Sequence, residues 1–291
     1  MASLVLKFGG TSVGSVEAIL LVADKVKKLK EEGNSLAVVV SAMSGETNRL
    51  LDLANKFKAE KGKAVDFLLA TGEQVSVALL CSALESLGVI CHPMAGWQVP
   101  IQTDNSFGKA KITEITPDNI VNLMDDGVVV ITGFQGVDQS NNITTLGRGG
   151  SDTSAVAIAA AIGADECRIY TDVRGVFTTD PRIVSDARKL DVITYEEMLE
   201  LAGLGAKVLQ IRAVEFARNY NVKLRVLSTF NEDPGTLIID EEEGMGMEQA
   251  LISGITLKKN EAQIMLSNVP DRPGIAADIL GPVAEKNIEV D

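Results

Sequence analysis

Histidine is nearly absent from this 291-residue chain: His92, just ahead of Pro93 at the end of an apolar run, is the only one. A lone His without a partner reads as structural, so chemistry that runs on imidazole is not expected. Cysteine is scarce as well. Cys81, Cys91 and Cys167 are scattered, odd in number and in no CxxC spacing, which excludes a zinc site and fits buried thiols in a reducing cytosol. Cys81 is expected on a helix and Cys91 in a strand, both as packing residues. Positive charge is also short. The 27 Lys and Arg against 40 Asp and Glu leave a net charge of −13 and a pI near 4.7, which argues against nucleic acid or an anionic membrane as partner. No basic-then-apolar leader opens the chain, and no uninterrupted apolar run reaches the length of a membrane span. The expectation is a soluble, cytoplasmic protein.

What is present is a large apolar fraction, 46% of residues with mean hydropathy +0.16, enough for one large or two ordinary domains. Short apolar runs at Leu4–Phe8, Leu36–Val40, Val128–Thr132, Arg168–Thr171 and Lys223–Leu227 read as strands. Several lack alternation, as expected for a sheet covered on both faces. Residues 15–32 read as a helix whose stripe is Val16, Ile19, Leu20, Ala23, Val26 and Leu29, and 64–87, 152–162 and 207–220 read similarly. The repeated β-α order predicts a three-layer α/β/α sandwich with a mostly parallel central sheet. Ligands then sit beyond the carboxyl ends of its strands.

Composition shifts after residue 239. The acidic run from Asp240 to Glu243 reads as part of a solvated linker over 240–250. Beyond it, Glu261–Ser267 is expected as a strand, 269–274 as a turn and Ile275–Lys286 as a helix, with Ile288–Asp291 beginning another strand. Such a β-α-β start cannot bury its own sheet face, so 251–291 is expected to be an incomplete domain.

Four segments carry chemistry. In 145–155, TLGRGGSDTSA, Arg148 sits among Gly147, Gly149 and Gly150 ahead of an Ala-rich helix. Ser151 or Asp152 is expected to cap that helix, whose N-terminal dipole end and the Arg fork together suit an anion. In 7–12, KFGGTS, a lysine and two hydroxyls end the first strand over amides that could cradle phosphate. The 41–48 segment, SAMSGETN, repeats a small, hydroxyl-rich turn, and Glu73 interrupts an apolar helix, where it needs a cationic partner. The run 170–182, YTDVRGVFTTDPR, mixes an aromatic, hydroxyls, two carboxylates and two arginines, and Lys207 brings another cation to a helix start. Cations at loop–helix junctions, with no His or Cys, point to phosphoryl transfer, which asks mainly for positioning and charge neutralisation.

In order along the chain, KFGGTSVG (7–14), VVSAMSGETN (39–48), TGEQVS (71–76), GFQG (133–136), TTLGRGGSDTSA (144–155), YTDVRGVFTTDPR (170–182) and LGAKVLQ (204–210) resemble the signature segments of the aspartate kinases, members of the amino-acid kinase family. The resemblance runs through about residue 230, and 252–291 resembles the opening half of the first ferredoxin-like ACT regulatory domain of those enzymes. It implies a catalytic domain over 1–239 and ATP-dependent phosphorylation of the β-carboxylate of L-aspartate, a first step towards lysine, threonine and methionine. It also implies Mg²⁺ held mainly through ATP oxygens and water, a lysine or threonine effector if the ACT region is completed, and a homodimer.

Residue by residue, it implies that Lys7 neutralises the transferring phosphoryl group, with Asp152 as the second catalytic position. Ser41, Thr47 and Ser151 would supply hydroxyls near the substrate, Glu73 would hold its ammonium, and Arg148 would clamp a carboxylate. Lys7, Gly9, Gly10, Thr171, Asp172, Phe177, Arg182 and Lys207 would hold ATP. Arg174 departs from the pattern, since many relatives are acidic or uncharged there; exposure is the plainer reading, with pairing to Asp172 or phosphate the alternative. Two other readings stay open: another kinase of the same fold, for glutamate, acetylglutamate, carbamate or uridylate, and a non-catalytic regulatory module.

Overall fold

The computed structural model of the protein describes residues 2–59, 61–205, 208–240, 254–257 and 264–285. It divides into two compact units, 1–257 and 258–291. The first is a three-layer α/β/α sandwich.

Its spine is an eight-stranded sheet in the order β10-β12-β11-β9-β1-β2-β6-β3. The central strands are β1 (Ser3–Phe8), β2 (Ser35–Val40), β6 (Val128–Thr132) and β9 (Glu166–Thr171), with β3 (Cys91–Met94) at one edge. β11 (Leu224–Ser228), β12 (Thr236–Ile239) and β10 (Val192–Thr194) complete the other side. All neighbours pair in parallel except β11 and β12. The strands read as continuous apolar runs because both faces are covered. In β1, Leu4, Leu6 and Phe8 pack into one core and Val5 into the other, following the period of two. Each such fully buried side chain contributes about 1.5–3 kcal/mol of transfer free energy.

One face is covered by α1 (Val16–Glu31) and α4 (Thr71–Ser86), the other by α5 (Asp118–Asp126), α6 (Gly150–Ile162), α7 (Tyr195–Gly203) and α8 (Ile211–Asn219). Lys7 shares the face of Val5, and α6 packs on that face of β1. That register, rather than any local signal, aims the lysine at the first turn of α6.

The α1 stripe differs from the expected one. Ile19, Val22, Ala23 and Val26 are buried, whereas Val16 and Leu20 are 61% and 45% exposed. The contact line is set by the inner i, i+3, i+4, i+7 row, which omits both. The helix expected over 64–87 is two helices, α3 (Lys63–Leu69) and α4, meeting at Ala70. At the junction the Ala70 carbonyl receives Gln135 Nε2 (3.0 Å), and Thr71 Oγ1 donates to Leu68 O (2.7 Å). The stretch Lys63–Ser86 matches a membrane span in length and composition, but 56% of its apolar window is buried inside the fold. The helix expected over 207–220 begins at Ile211, because Gln210 is extended (φ −83°, ψ 135°). His92 is not partnerless: its Nε2 lies 3.1 Å from Asp126 Oδ2, a carboxylate brought in from the end of α5.

A second sheet has no counterpart in the sequence reading. Its order is β5-β4-β7-β8, from β5 (Ile112–Ile115), β4 (Ile101–Thr103), β7 (Gln135–Val137) and β8 (Ile143–Thr145). It delivers the chain from β8 directly into the glycine loop ahead of α6. After the loop at 41–45, α2 (Glu46–Asn55) closes the same end of the molecule.

The first unit reaches past residue 239. Ile255 N donates to Thr178 O (2.7 Å) and Thr256 Oγ1 to Leu204 O (3.2 Å). In the second unit, α9 spans Ile275–Glu285, and Arg272 Nη2 donates to Asp278 Oδ2 (3.0 Å) across its start. Residues 264–267 of the expected strand carry no ladder pairing. The rest of that strand (261–263), the strand expected at 288–291 and the linker residues 241–250 lie outside the described residues.

Candidate active site

Beyond the carboxyl ends of β1 and β2, three loops meet. The turn after β1 folds back on itself, with Ser12 N and Val13 N donating to Gly9 O (2.9 and 3.3 Å). It packs against the turn after β2 through Ser44 N to Gly10 O (3.1 Å). The amides of Gly10 and Thr11 have no protein acceptor among the described residues, and Gly10 lines the cavity that the loops enclose. Ser12, by contrast, is fully buried and shares a 2.6 Å hydrogen bond with Thr229, so its hydroxyl ties β1 to β11 rather than serving a ligand.

The third loop is the glycine run. The helix cap expected from Ser151 or Asp152 is not formed. Gly149 is the N-cap, at φ +71°, and both residues lie buried inside the first turn of α6. Only glycine fits at 149: a Cβ there would stand 2.0 Å from Gln210 Cγ, in a backbone region L-residues avoid. Asp152 is thereby placed in the first turn, beside the positive end of the helix dipole. Its Oδ1 lies 2.6 Å from Lys7 Nζ, and both side chains are nearly buried. Removing either partner would strand a buried charge.

These loops enclose a cavity of about 330 Å³. Lys7 and Asp152 stand on one wall with Ser151 and Gly10; Ser41 and Thr47 line a second, and Arg148 stands at the glycine loop. Glu73, from the first turn of α4, reaches in from below and is only 2% exposed. Its Oε1 accepts from Ala42 N (3.1 Å), while Oε2 is buried with no hydrogen-bond partner. Gly72 makes this approach possible, since a Cβ there would meet Ala42 Cβ at 2.9 Å. Burial pushes the Glu73 carboxyl up to about 8, against a lowering by the Ala42 amide. An orphaned, buried carboxyl of this kind is costly unless a cationic ligand completes it. Arg148 is exposed and has no ion-pair partner among the described residues. The cavity therefore offers a buried carboxyl with an unpartnered oxygen and a guanidinium with no counter-ion among the described residues, beside a lysine that is paired.

The nucleotide-side candidates are arranged differently. Thr171 ends β9, next to Gly9 through the β1–β9 pairing and the Gly9 N to Tyr170 O bond (3.3 Å). Its Oγ1 donates to Asp172 Oδ1 (2.9 Å). Phe177 forms an isolated bridge with Lys189 and is half-buried. Arg182 is exposed and grips Asp180 by two bonds, Nε to Oδ1 (3.0 Å) and Nη2 to Oδ2 (2.8 Å). This pair holds the Asp180 carboxyl down at about 2. Arg174 is exposed, and its charge acts on Asp233. None of these residues lines the cavity, and Lys207 lies outside the described residues. Among the described residues no group of three or more His, Cys, Asp or Glu is arranged to hold a metal ion.

Sequence reasoning missed Gln210, which closes the cavity against Gly149, and Phe134, which lines it beside Met43. Both fall in segments singled out for resemblance. It also missed Asp66 and Arg212, which never touch the cavity and carry no local signal.

Residues 3–228 match the family model described as the amino acid kinase family. The "Aspartate kinase" of Pseudomonas fluorescens (strain SBW25) is 59% identical over 296 residues, covering 100% of this chain and 71% of that protein. The crystal structure of aspartate kinase from Synechocystis is 41% identical with a TM-score of 0.72; it aligns with all of this chain, which spans about half (49%) of that longer one. E. coli aspartokinase III has been solved with aspartate and ADP in an R-state and with lysine and aspartate in a T-state. Both are 28% identical and cover 99% of this chain, at TM-scores of 0.80 and 0.81 and over 75% and 76% of their own length.

Proposed function

The chain belongs to the amino acid kinase family, among its aspartate kinases, and on that premise we propose how its own residues transfer a phosphoryl group from ATP to the β-carboxylate of L-aspartate. The observation that carries this reading is the pairing of an orphaned Glu73 Oε2 with a partnerless Arg148 at one cavity. An α-amino acid presents the complementary ends. Its ammonium would complete Glu73 and one carboxylate would take the Arg148 fork, turning the other carboxylate towards Lys7. Ser41, Thr47 and Ser151 supply hydroxyls around the same volume.

The acceptor is already an anion, so no base is required. A β-carboxylate oxygen attacks the γ-phosphorus, the bond from phosphorus to the ADP oxygen breaks, and the electron pair leaves on ADP. The products are 4-phospho-L-aspartate, an acyl phosphate, and ADP. The difficulty is bringing two anions into line. Lys7 supplies positive charge where the phosphoryl group passes, and Asp152, 2.6 Å away, keeps its ammonium aimed from β1. The free amides of Gly10 and Thr11, with Gly9 beside them, suit the phosphates. Thr171, Asp172, Phe177, Arg182 and Lys207 are proposed for the rest of the nucleotide. Mg²⁺ carried on ATP would add neutralising charge there; with no acidic cluster among the described residues, phosphate oxygens and water are its fitting ligands.

Residues 251–291 are proposed as the opening of an ACT unit, with lysine or threonine as effector when that unit is whole. The T-state structure of E. coli aspartokinase III, in complex with lysine and aspartate, supports this. A homodimer in the cytoplasm completes the reading. The test is ADP formation with aspartate, glutamate, acetylglutamate, carbamate and UMP offered separately. Turnover with aspartate alone is expected; aspartate giving no more ADP than buffer would sink the assignment.

A further inference from the structure

Arg148 has no side-chain hydrogen bond or ion pair among the described residues, so its direction is set by the backbone that carries it. That backbone is soft by composition, with Gly147 at φ +76° and Gly149 at φ +71° on either side. Two charged side chains from separate helices hold it. Asp66, fully buried on α3, accepts with one oxygen from both Gly108 N (3.0 Å) and Thr145 N (2.7 Å). Arg212, on α8, donates from Nη2 to Ala110 O (2.9 Å) and from Nη1 to Leu146 O (2.9 Å). Each side chain therefore bridges the same two strands of chain, 108–110 and 145–146, which are joined directly only by Ala110 N to Thr145 O (2.9 Å). Neither residue has an ion-pair partner within 4.0 Å among the described residues. Arg212 spends its charge on backbone carbonyls, and Asp66 spends one oxygen on backbone amides while its Oδ1 is buried without a hydrogen-bond partner.

We propose that Asp66 and Arg212 are positioning residues that clamp the root of the glycine loop from two sides and so fix Arg148 for the substrate carboxylate. The proposal rests on the aspartate reading of the cavity. Arg suits its place because its rigid planar fork aims two separate nitrogens at the two carbonyls, where a lysine would offer one ammonium on a flexible stem. Charge-assisted bonds of this kind are stronger than neutral ones and resist the loop's own freedom. The clamp is assigned to the acceptor side because the loop it holds carries Arg148.

The test is steady-state kinetics on the full chain. Arg212→Ala should raise the aspartate KM about 10–100-fold while kcat and the ATP KM move less than about threefold, as expected when a clamp is misplaced by roughly an ångström. Asp66→Ala should behave alike, and Asp66→Asn, which keeps an acceptor oxygen, should stay within about threefold of wild type. In an Arg148→Ala background, Arg212→Ala should add less than about twofold, because both changes remove one function. An undiminished effect in that background, or equal shifts in both KM values, overturns the clamp. If Arg212→Ala fails to fold, Arg212→Lys should give an intermediate rise in the aspartate KM alone. Limited trypsinolysis is a readout that needs no aspartate: cleavage after Arg148 should accelerate in Arg212→Ala relative to cleavage at other exposed lysines. Wild type without aspartate turnover would sink the substrate reading and leave the proteolysis to decide the clamp. Wild-type turnover with no response to Arg212→Ala, in kinetics or cleavage, sinks the clamp alone.

Discussion

The acceptor cavity and the loop cluster after β9 are equally rich in charge, and they treat it in opposite ways. In the cavity, Glu73 is 2% exposed with an oxygen that bonds to nothing, and Arg148 stands without a counter-ion. After β9, Arg182 is bound to Asp180 and Thr171 to Asp172, out in solvent. The first region holds unmet demand at Glu73 and Arg148, while in the second Arg182 and Thr171 already have partners within the loop. A ligand in the cavity gains by completing a buried, unpartnered carboxyl, whereas one on the loops must compete with existing partners and with water. On the proposed assignment of the two regions, acceptor recognition is built into the free fold and much of the nucleotide contact has to be made by exchange.

The sharpest way to break this contrast is at Lys7, which lies between the regions. Lys7→Ala should lower kcat by roughly 10²–10³ if it stabilises charge in transit. The change also strands Asp152, so a thermal melt must show the fold intact; a loss under threefold would make Lys7 structural. Next in size, Arg148→Lys keeps the charge but loses the fork, and the aspartate KM should rise about tenfold while the ATP KM stays put. Equal shifts in both would erase the distinction between the two sides.

Glu73 carries a pH signature. Its carboxyl is raised to about 8 by burial, so the folded state prefers it protonated. Stability from this group is fully present below the ordinary carboxylate range and is lost as pH rises towards about 8. Substrate binding runs the other way, since the ammonium needs the anion: the aspartate KM should fall with pH up to about 8 and then level. Glu73→Gln should flatten that profile, raise the aspartate KM, and stabilise the ligand-free protein at pH 9 by roughly 1–3 kcal/mol. A melting temperature lower than wild type at pH 9 would contradict the orphaned carboxyl. The smallest effect is expected at Arg182. Because Asp180 already neutralises it in solvent, Arg182→Ala should change the ATP KM by less than about threefold. A tenfold rise would mean the pair opens for phosphate, and the two regions would differ less than their ligand-free structures do.

The two regions also differ in how far they could be read from sequence. Lys7, Glu73 and Arg148 were legible because each breaks a local rule: a cation ends an apolar strand, a carboxylate interrupts an apolar helix, an arginine sits among glycines. The parallel sheet was legible too, through apolar runs too continuous for a half-exposed sheet. The second sheet was not, since its strands are three or four residues long and several are polar, leaving no periodicity to find. Helix starts went astray where tertiary contacts decide them, as at Gly149 under Gln210 and at the Ala70 junction under Gln135. Asp66 and Arg212 were invisible for a related reason. Their partners lie 79 and 66 residues away in the chain, at Thr145 and Leu146.

The central claim is that the cavity holds an uncompensated Glu73 awaiting a substrate ammonium. Titration calorimetry of aspartate at pH 7, repeated in buffers of different ionisation heat, tests it directly. With the carboxyl pushed up to about 8, binding should release protons, and Glu73→Gln should abolish the release. Binding without proton release, or with the same release in Glu73→Gln, would contradict the account.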